Sequence, residues 1–274
     1  MRGDPAMQTV GFEDFRRKAS EKYAGVLSQG STLLTTAHGM YEQSVKDTLC
    51  SLIRSACITV TNSFQSVLLL TMNGCGSDAL KIARSMFETS VVMTYLQKHP
   101  NLLADFLDYR WIKRNKHQEF LSQYAPDELK RIDPAEVVKT VAEYGRVKSR
   151  FKGRSSWNDK KLPCMAKDVG LEQQYLAVYP FTSSVHHLDV IGIMAQEDDG
   201  ISDIEVLPSG KNLDLALSIA GLSAYVAVAA LDEALGAKSS QKLADWSKQY
   251  RASLSEADKA TGQVGGDGAV AERS

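Results

Sequence analysis

Apolar residues recur along this chain at intervals of three and four, and no bounded run of alternating apolar and polar residues interrupts them. The pattern predicts helices nearly throughout. A first amphipathic helix covers 12–28, and Gly30-Ser31 with His38-Gly39 predict a loop. A long helix over 41–72 stops at Asn73-Gly-Cys-Gly76, and Ser77-Asp78 opens a second that runs to about Lys98, before Pro100. These two form the expected central pair. A helix over 101–124 follows, and Pro126 and Pro134 open the next two segments. The stretch 152–163 reads as a loop between helical segments. Short helices are expected over 165–179 and 181–194, with a break at Tyr179. Pro180 lacks an N–H and pushes the residue before it out of the helical region. An acidic loop over 196–210 precedes helices over 211–235 and 239–250. The fold expected is all-α: a single irregular helical bundle over 1–254, with a polar, Gly/Ala-rich, disordered C-terminal tail over 255–274.

A long uncharged run, LALSIAGLSAYVAVAAL, covers 215–231, with Asp214 and Asp232-Glu233 at its ends. It is shorter than the roughly 20 apolar residues that cross a bilayer. A buried central helix is expected, with a membrane helix as the alternative. The first residues carry no apolar segment of the kind found in secretory leaders.

Net charge is −1, so any attraction to an anionic partner rests on local patches. The four cysteines, Cys50, Cys57, Cys75 and Cys164, form no Cys-x-x-Cys pair. They read as buried free thiols in a reducing cytosol, with neither disulfide nor zinc expected. There is no P-loop, no His-Glu-x-x-His and no dinucleotide fingerprint, so no cofactor and no metal are expected. The acidic stretch 197–205 lacks the register of a calcium loop.

Two clusters carry the chemistry. In the helix from Ser77, residues Leu80, Phe87, Val91 and Tyr95 fall in one stripe, and Arg84 and Glu88 lie within it. They are four apart and can touch. A charged pair on an apolar face reads as an architectural clamp or as the wall of a polar pocket. The second cluster is Tyr179-Pro-Phe-Thr-Ser-Ser-Val-His-His187. Helical spacing sets Tyr175, Tyr179, Ser183 and either His186 or His187 along one edge. A Ser–His contact there is the start of a nucleophile–base pair, with Glu88 as the orienting group, or else a packed, hydrogen-bonded histidine without chemistry.

Arg84-Ser-Met-Phe-Glu88 with Tyr95, the loop residue Trp157, and Tyr179-Pro-Phe-Thr-Ser183-Ser-Val-His186 together resemble an all-helical, mostly bacterial family known as a domain of unknown function. The resemblance extends over 49–188. Pro180 departs from the family's pattern and puts the local helix geometry in question. The resemblance implies a helical bundle with polar residues meeting inside it, and selects His186 over His187 as the inward residue. It brings no activity.

The stretch 145–161 carries seven Lys and Arg against one Asp. Arg150, Lys152 and Arg154 would attract phosphates, and Phe151 and Trp157 would stack bases, unless the stretch is simply a solvated loop. Arg110-Trp-Ile-Lys-Arg-Asn-Lys-His117 resembles the Arg-and-His signature of helical prokaryotic ribonucleases of the HEPN type. In those, Arg stabilises phosphate charge and His performs acid–base work at the 2′-hydroxyl. Trp111 stands where that signature carries a polar residue.

Two functions follow as expectations. The first is a bacterial, cytoplasmic accessory or binding protein, in which Arg84, Glu88, Tyr179, Ser183 and His186 form an internal polar cluster. Tyr95, Trp157 and Tyr175 add binding contacts. The second is a metal-independent, RNA-directed hydrolase in a toxin or phage-defence setting. There His186 or His117 is the acid–base group and Arg84 or Arg110 the anion stabiliser. RNA or a small polar ligand at 146–161 and a second copy of the chain are the candidate partners; a membrane is not expected.

Overall fold

A computed structural model describes residues 5–187, 208, 210 and 212–264, with the backbone alone over 5–10, 180–181, 183–187 and 260–264. Every regular element among these residues is helical. In chain order they are α1 (Pro5–Lys22), α2 (Ala24–Tyr41), α3 (Thr48–Met72), α4 (Gly76–Lys98), α5 (Leu103–Tyr124), α6 (Pro126–Leu129), α7 (Pro134–Val147), α8 (Leu162–Asp168), α9 (Glu172–His187), α10 (Leu213–Leu235) and α11 (Ser240–Val264).

Local chemistry sets several boundaries. Asp47 caps α3 by accepting a hydrogen bond from the Cys50 N–H at 2.8 Å. The chain then reverses at Gly74, whose φ of 69° suits glycine. Asp133 caps α7 by accepting from the Ala135 N–H at 2.9 Å, with Pro134 in the first turn. The acidic loop expected over 196–210 falls almost wholly outside the described residues.

The centre of the molecule is α10, packed against α3 and α4, which also pack against each other. Small buried residues, among them Ala216, Ala220, Ala224 and Ala227, let these helices approach closely. Ser90 of α4 donates a hydrogen bond to the Ser223 carbonyl of α10 at 3.0 Å, so even this polar contact is buried and satisfied. By length and composition α3 and α10 are each apolar enough to cross a bilayer. Asp214 and Asp232, near the two ends of α10, have partners inside the protein. Tyr23 donates to Asp214 at 2.8 Å, and Asp232 accepts from the Ser239 N–H at 2.9 Å.

Several boundaries differ from the sequence expectation: the helix expected over 12–28 breaks at Tyr23, and the one expected from residue 41 opens only at Thr48, where Asp47 caps it. The loop expected around Gly30 and His38-Gly39 is instead part of α2. Gly30 serves close approach: a Cβ there would lie 2.9 Å from Leu68 Cδ1 of α3. The break expected at Tyr179 is absent, because α9 runs on through Pro180. The proline removes one donor, for the carbonyl four residues back, without ending the helix. The last helix continues past Tyr250 to Val264, into the stretch expected to be tail, and Ala257 within it is buried. Residues 265–274 lie outside the described residues. All four cysteines are free, but only Cys50 and Cys57 are buried, while Cys164 is exposed. Burial pushes the Cys57 thiol up to about 12.

The α10–α11 contact offers a direct test of the packing. Tyr250 donates to the Leu217 carbonyl at 2.9 Å and is held between Phe64 and Trp246, with ring centroids 6.1 and 5.0 Å away. A Cβ on Gly221 would overlap this ring. Gly221→Ala is expected to lower stability by about 1–3 kcal/mol. Gly39→Ala, in a helix with open space around it, is expected to raise stability by about 0.5–1 kcal/mol. Urea denaturation followed by circular dichroism measures both. A Gly221→Ala protein as stable as the wild type would contradict the seating of Tyr250 on α10.

Candidate functional site

Arg84 sits in the middle of α4 and is only 5% exposed. Its Nε–H donates to Glu88 Oε1 at 3.0 Å, one turn along the helix. The guanidinium lies over the Tyr179 ring, 4.4 Å from its centroid, and Tyr179 stacks on Tyr175 with centroids 4.7 Å apart. The expected meeting of the two distant segments is therefore present for Arg84, Glu88, Tyr175 and Tyr179. Burial raises the pKa of Tyr175, the neighbouring Tyr179 adds to the rise, and Arg84 opposes it. Arg84 Nη1 is buried and makes no hydrogen bond among the described residues. The backbone register of α9 carries positions 183 and 186 along the Tyr179 edge. The side chains of Ser183, His186 and His187, and with them the nucleophile–base reading, lie outside the described residues.

Beside this pair α3, α4, α5, α8 and α9 line a partly open cavity of about 430 Å³. Leu52, Val92, Met93, Leu96, Phe106 and Leu162 give it apolar walls, and Glu88, Thr89 and Tyr179 give it a polar edge. Only Oε1 of Glu88 takes a hydrogen bond from the described residues. Arg84 offsets the Glu88 charge, so the site presents an oriented acceptor without net charge.

Tyr95 and Trp157 do not line that cavity. They stand behind it, in a chain of rings. Phe106 meets Trp157 edge-on at 5.2 Å, Trp157 lies 6.2 Å from Tyr95, and Tyr95 lies 4.5 Å from His99. The chain ends at Asp168, which accepts from Lys98 at 2.8 Å and Lys160 at 2.9 Å and lies 3.2 Å from His99 Nε2. Hydrogen bonds from Lys98 and then Lys160 hold the Asp168 carboxyl far below the usual range. The sequence reading does not include this cluster. Its signal was the Lys98-His99 pair at a helix end, which in sequence has no visible acidic partner.

The basic stretch is more neutral and more fixed than its composition implies. Arg146 pairs with Asp108 at 2.8 Å and Glu143 at 2.8 Å, while Arg150 pairs with Asp105 at 3.0 Å and also with Asp108. Arg154 pairs with Asp159 at 3.1 Å. Phe151 and Trp157 are buried, so neither offers the open face assigned to base stacking. Tyr109 ties the stretch down by donating to the Ser155 carbonyl at 2.8 Å. Lys152 remains exposed and without an ion pair among the described residues. The alternative pair, Arg110 and His117, is exposed on α5; Arg110 lies 4.7 Å over the Trp111 ring, and neither residue lines the cavity. No group of three or more His, Cys, Asp or Glu suited to a metal occurs among the described residues.

A family of unknown function, DUF5677, matches residues 51–201, which is more than half of the chain. The chain belongs to this family. No curated protein and no solved structure matches it. The DUF5677 span takes in Arg84, Glu88, Tyr175 and Tyr179 together with most of the cavity wall. It excludes α10, so the DUF5677 segment depends on a helix outside its match for its central packing.

Two predictions follow for the DUF5677 cluster. Glu88 is 39% exposed at its side chain whereas Arg84 is buried, so losing either partner is not equivalent. Glu88→Ala strands a buried cation and is expected to cost about 2–3 kcal/mol, below the range for fully buried pairs because water reaches the site. Arg84→Met fills the same volume and is expected within about 1 kcal/mol of wild type. Urea midpoints decide the order, and the reverse order would contradict it. For Asp168, the folded-state pKa lies below the unfolded one. Its stabilisation is therefore complete above about pH 4 and is lost as pH falls through the folded value. The stability difference between wild type and Asp168→Asn is expected to shrink from pH 6 to pH 2.5. A constant difference would show that the ion cluster is not maintained in solution.

Proposed function

We propose that this protein is a binding protein that takes a small, mostly apolar molecule, carrying one hydrogen-bond-donating end, into the cavity beside Arg84 and Glu88. The observation that carries this reading is the combination of apolar walls with one carboxylate held by a buried arginine. A volume of about 430 Å³ lies in the range of small-molecule pockets. Glu88 Oε2 takes no hydrogen bond from the described residues, and Tyr179 sits at the same edge. Because Arg84 neutralises Glu88, a neutral donor such as a hydroxyl or amide suits the site better than a free anion. Free thiols at all four cysteines support a reducing compartment, and we place the protein in the cytoplasm on that ground.

The neutral dye N-phenyl-1-naphthylamine tests the reading. Ala56 lines the cavity from α3, and Ala56→Phe would fill part of it. Wild-type protein is expected to give saturable, blue-shifted dye fluorescence at one site. Ala56→Phe, with an unchanged circular dichroism spectrum, is expected to weaken binding about tenfold, as loss of one well-filled pocket contact does. Dye fluorescence that fails to saturate, or that Ala56→Phe leaves unchanged, would overturn the reading.

A further inference from the structure

The cations of the basic stretch divide into two sets. Arg146, Arg150 and Arg154 have carboxylate partners, as does Lys160, which pairs with Asp168. Lys148, Lys152 and Lys161 make no ion pair among the described residues, and nor does Lys116 of α5; Lys161 lies outside the recess that Lys116, Lys148 and Lys152 share. These three lysines border one recess. Together with Arg154, Tyr144 and Gly153 they line a cavity of about 480 Å³ between α5 and the turn that follows α7, and no carboxylate is among its lining residues.

Cations after a helix C-terminus ordinarily offset the partial negative charge of its last carbonyls. Backbone donors fill part of that role here: the Tyr144 carbonyl accepts from the Lys148 N–H at 2.9 Å and the Val147 carbonyl from the Arg150 N–H at 3.0 Å. It also does not account for Lys116, which comes from a different helix. Ammonium groups gathered in one recess repel one another, and an anion placed among them relieves that repulsion. The floor is fixed, because Phe151 is buried and Tyr109 holds Ser155.

We infer that the recess formed by Lys116, Lys148 and Lys152 binds a phosphate group. Several ammonium donors and no competing carboxylate suit a multiply charged oxyanion better than a carboxylate ligand. Ile112 and Tyr144 at the same recess give an apolar surface for whatever the phosphate is attached to. The group belongs either to a free phosphorylated small molecule or to an RNA backbone. This site is separate from the Glu88 cavity, with which it shares no lining residue.

The test uses the full chain with two probes: inorganic pyrophosphate, followed by calorimetry, and a short labelled single-stranded RNA, followed by anisotropy. One double variant, Lys148→Gln with Lys152→Gln, removes charge from the recess. A second, Lys113→Gln with Lys161→Gln, removes the same charge from exposed positions outside its lining. All four positions are exposed, so both variants should fold, and circular dichroism checks this. At least one probe is expected to bind saturably, about tenfold more weakly to the first variant and less than about twofold more weakly to the second. Pyrophosphate binding without RNA binding assigns the group to a small molecule. RNA binding that is lost selectively in the first variant assigns it to nucleic acid. Absence of saturable binding by both probes, or equal weakening by the two variants, would overturn the inference.

Discussion

The Arg84 guanidinium joins the two halves of the candidate site. It is buried in α4, bonded along its own helix to Glu88, and covered by the Tyr179 ring from α9. A cation placed there needs both neighbours. Glu88 supplies charge, and the ring supplies a face that tolerates charge without water. In return the cation fixes where α9 lies on α4 and holds the Glu88 carboxylate at the edge of the cavity. The opposite side of α4 is spent on α3 and α10, where small residues allow close packing. One helix thus belongs both to the central packing and to the site.

Much of the fold was legible because its signals are local. The stop at Asn73-Gly74, the proline-opened α6 and α7 and the uncharged run of α10 each follow from backbone chemistry or periodicity. Errors arose where a residue known for breaking helices does something else. Gly30 lets Leu68 approach, and nothing in the sequence distinguishes that role from a turn. Pro180 is carried inside α9. The extension of α11 to Val264 accompanies packing of its polar C-terminal half on α2, where Gly25 meets Ser253; composition alone suggested disorder. For Gly30 and α11 tertiary contact outweighs local propensity.

The site was legible in part for the same reason. Arg84 and Glu88 stood out because they occupy an apolar stripe, and Tyr175 and Tyr179 because they are four apart. The cavity was not visible, since its walls come from five helices far apart in sequence. The basic stretch shows the opposite failure. Its charge was counted along the chain, but Asp105, Asp108 and Glu143 reach it from α5 and α7 and leave only part of it unpaired. Trp157 likewise looked available in sequence and is held against Phe106 in the structure.

The central claim is that Arg84 and Tyr179 are energetically coupled across the α4–α9 contact. A double-mutant cycle measures this directly, using Arg84→Leu, Tyr179→Leu and the combined variant, with stabilities from urea denaturation. Leucine offers the partner neither charge nor an aromatic face. A coupling of about 1–2 kcal/mol is expected for a desolvated guanidinium on a ring. Single effects that add to within about 0.3 kcal/mol would contradict the claim and leave the cavity without its organising contact.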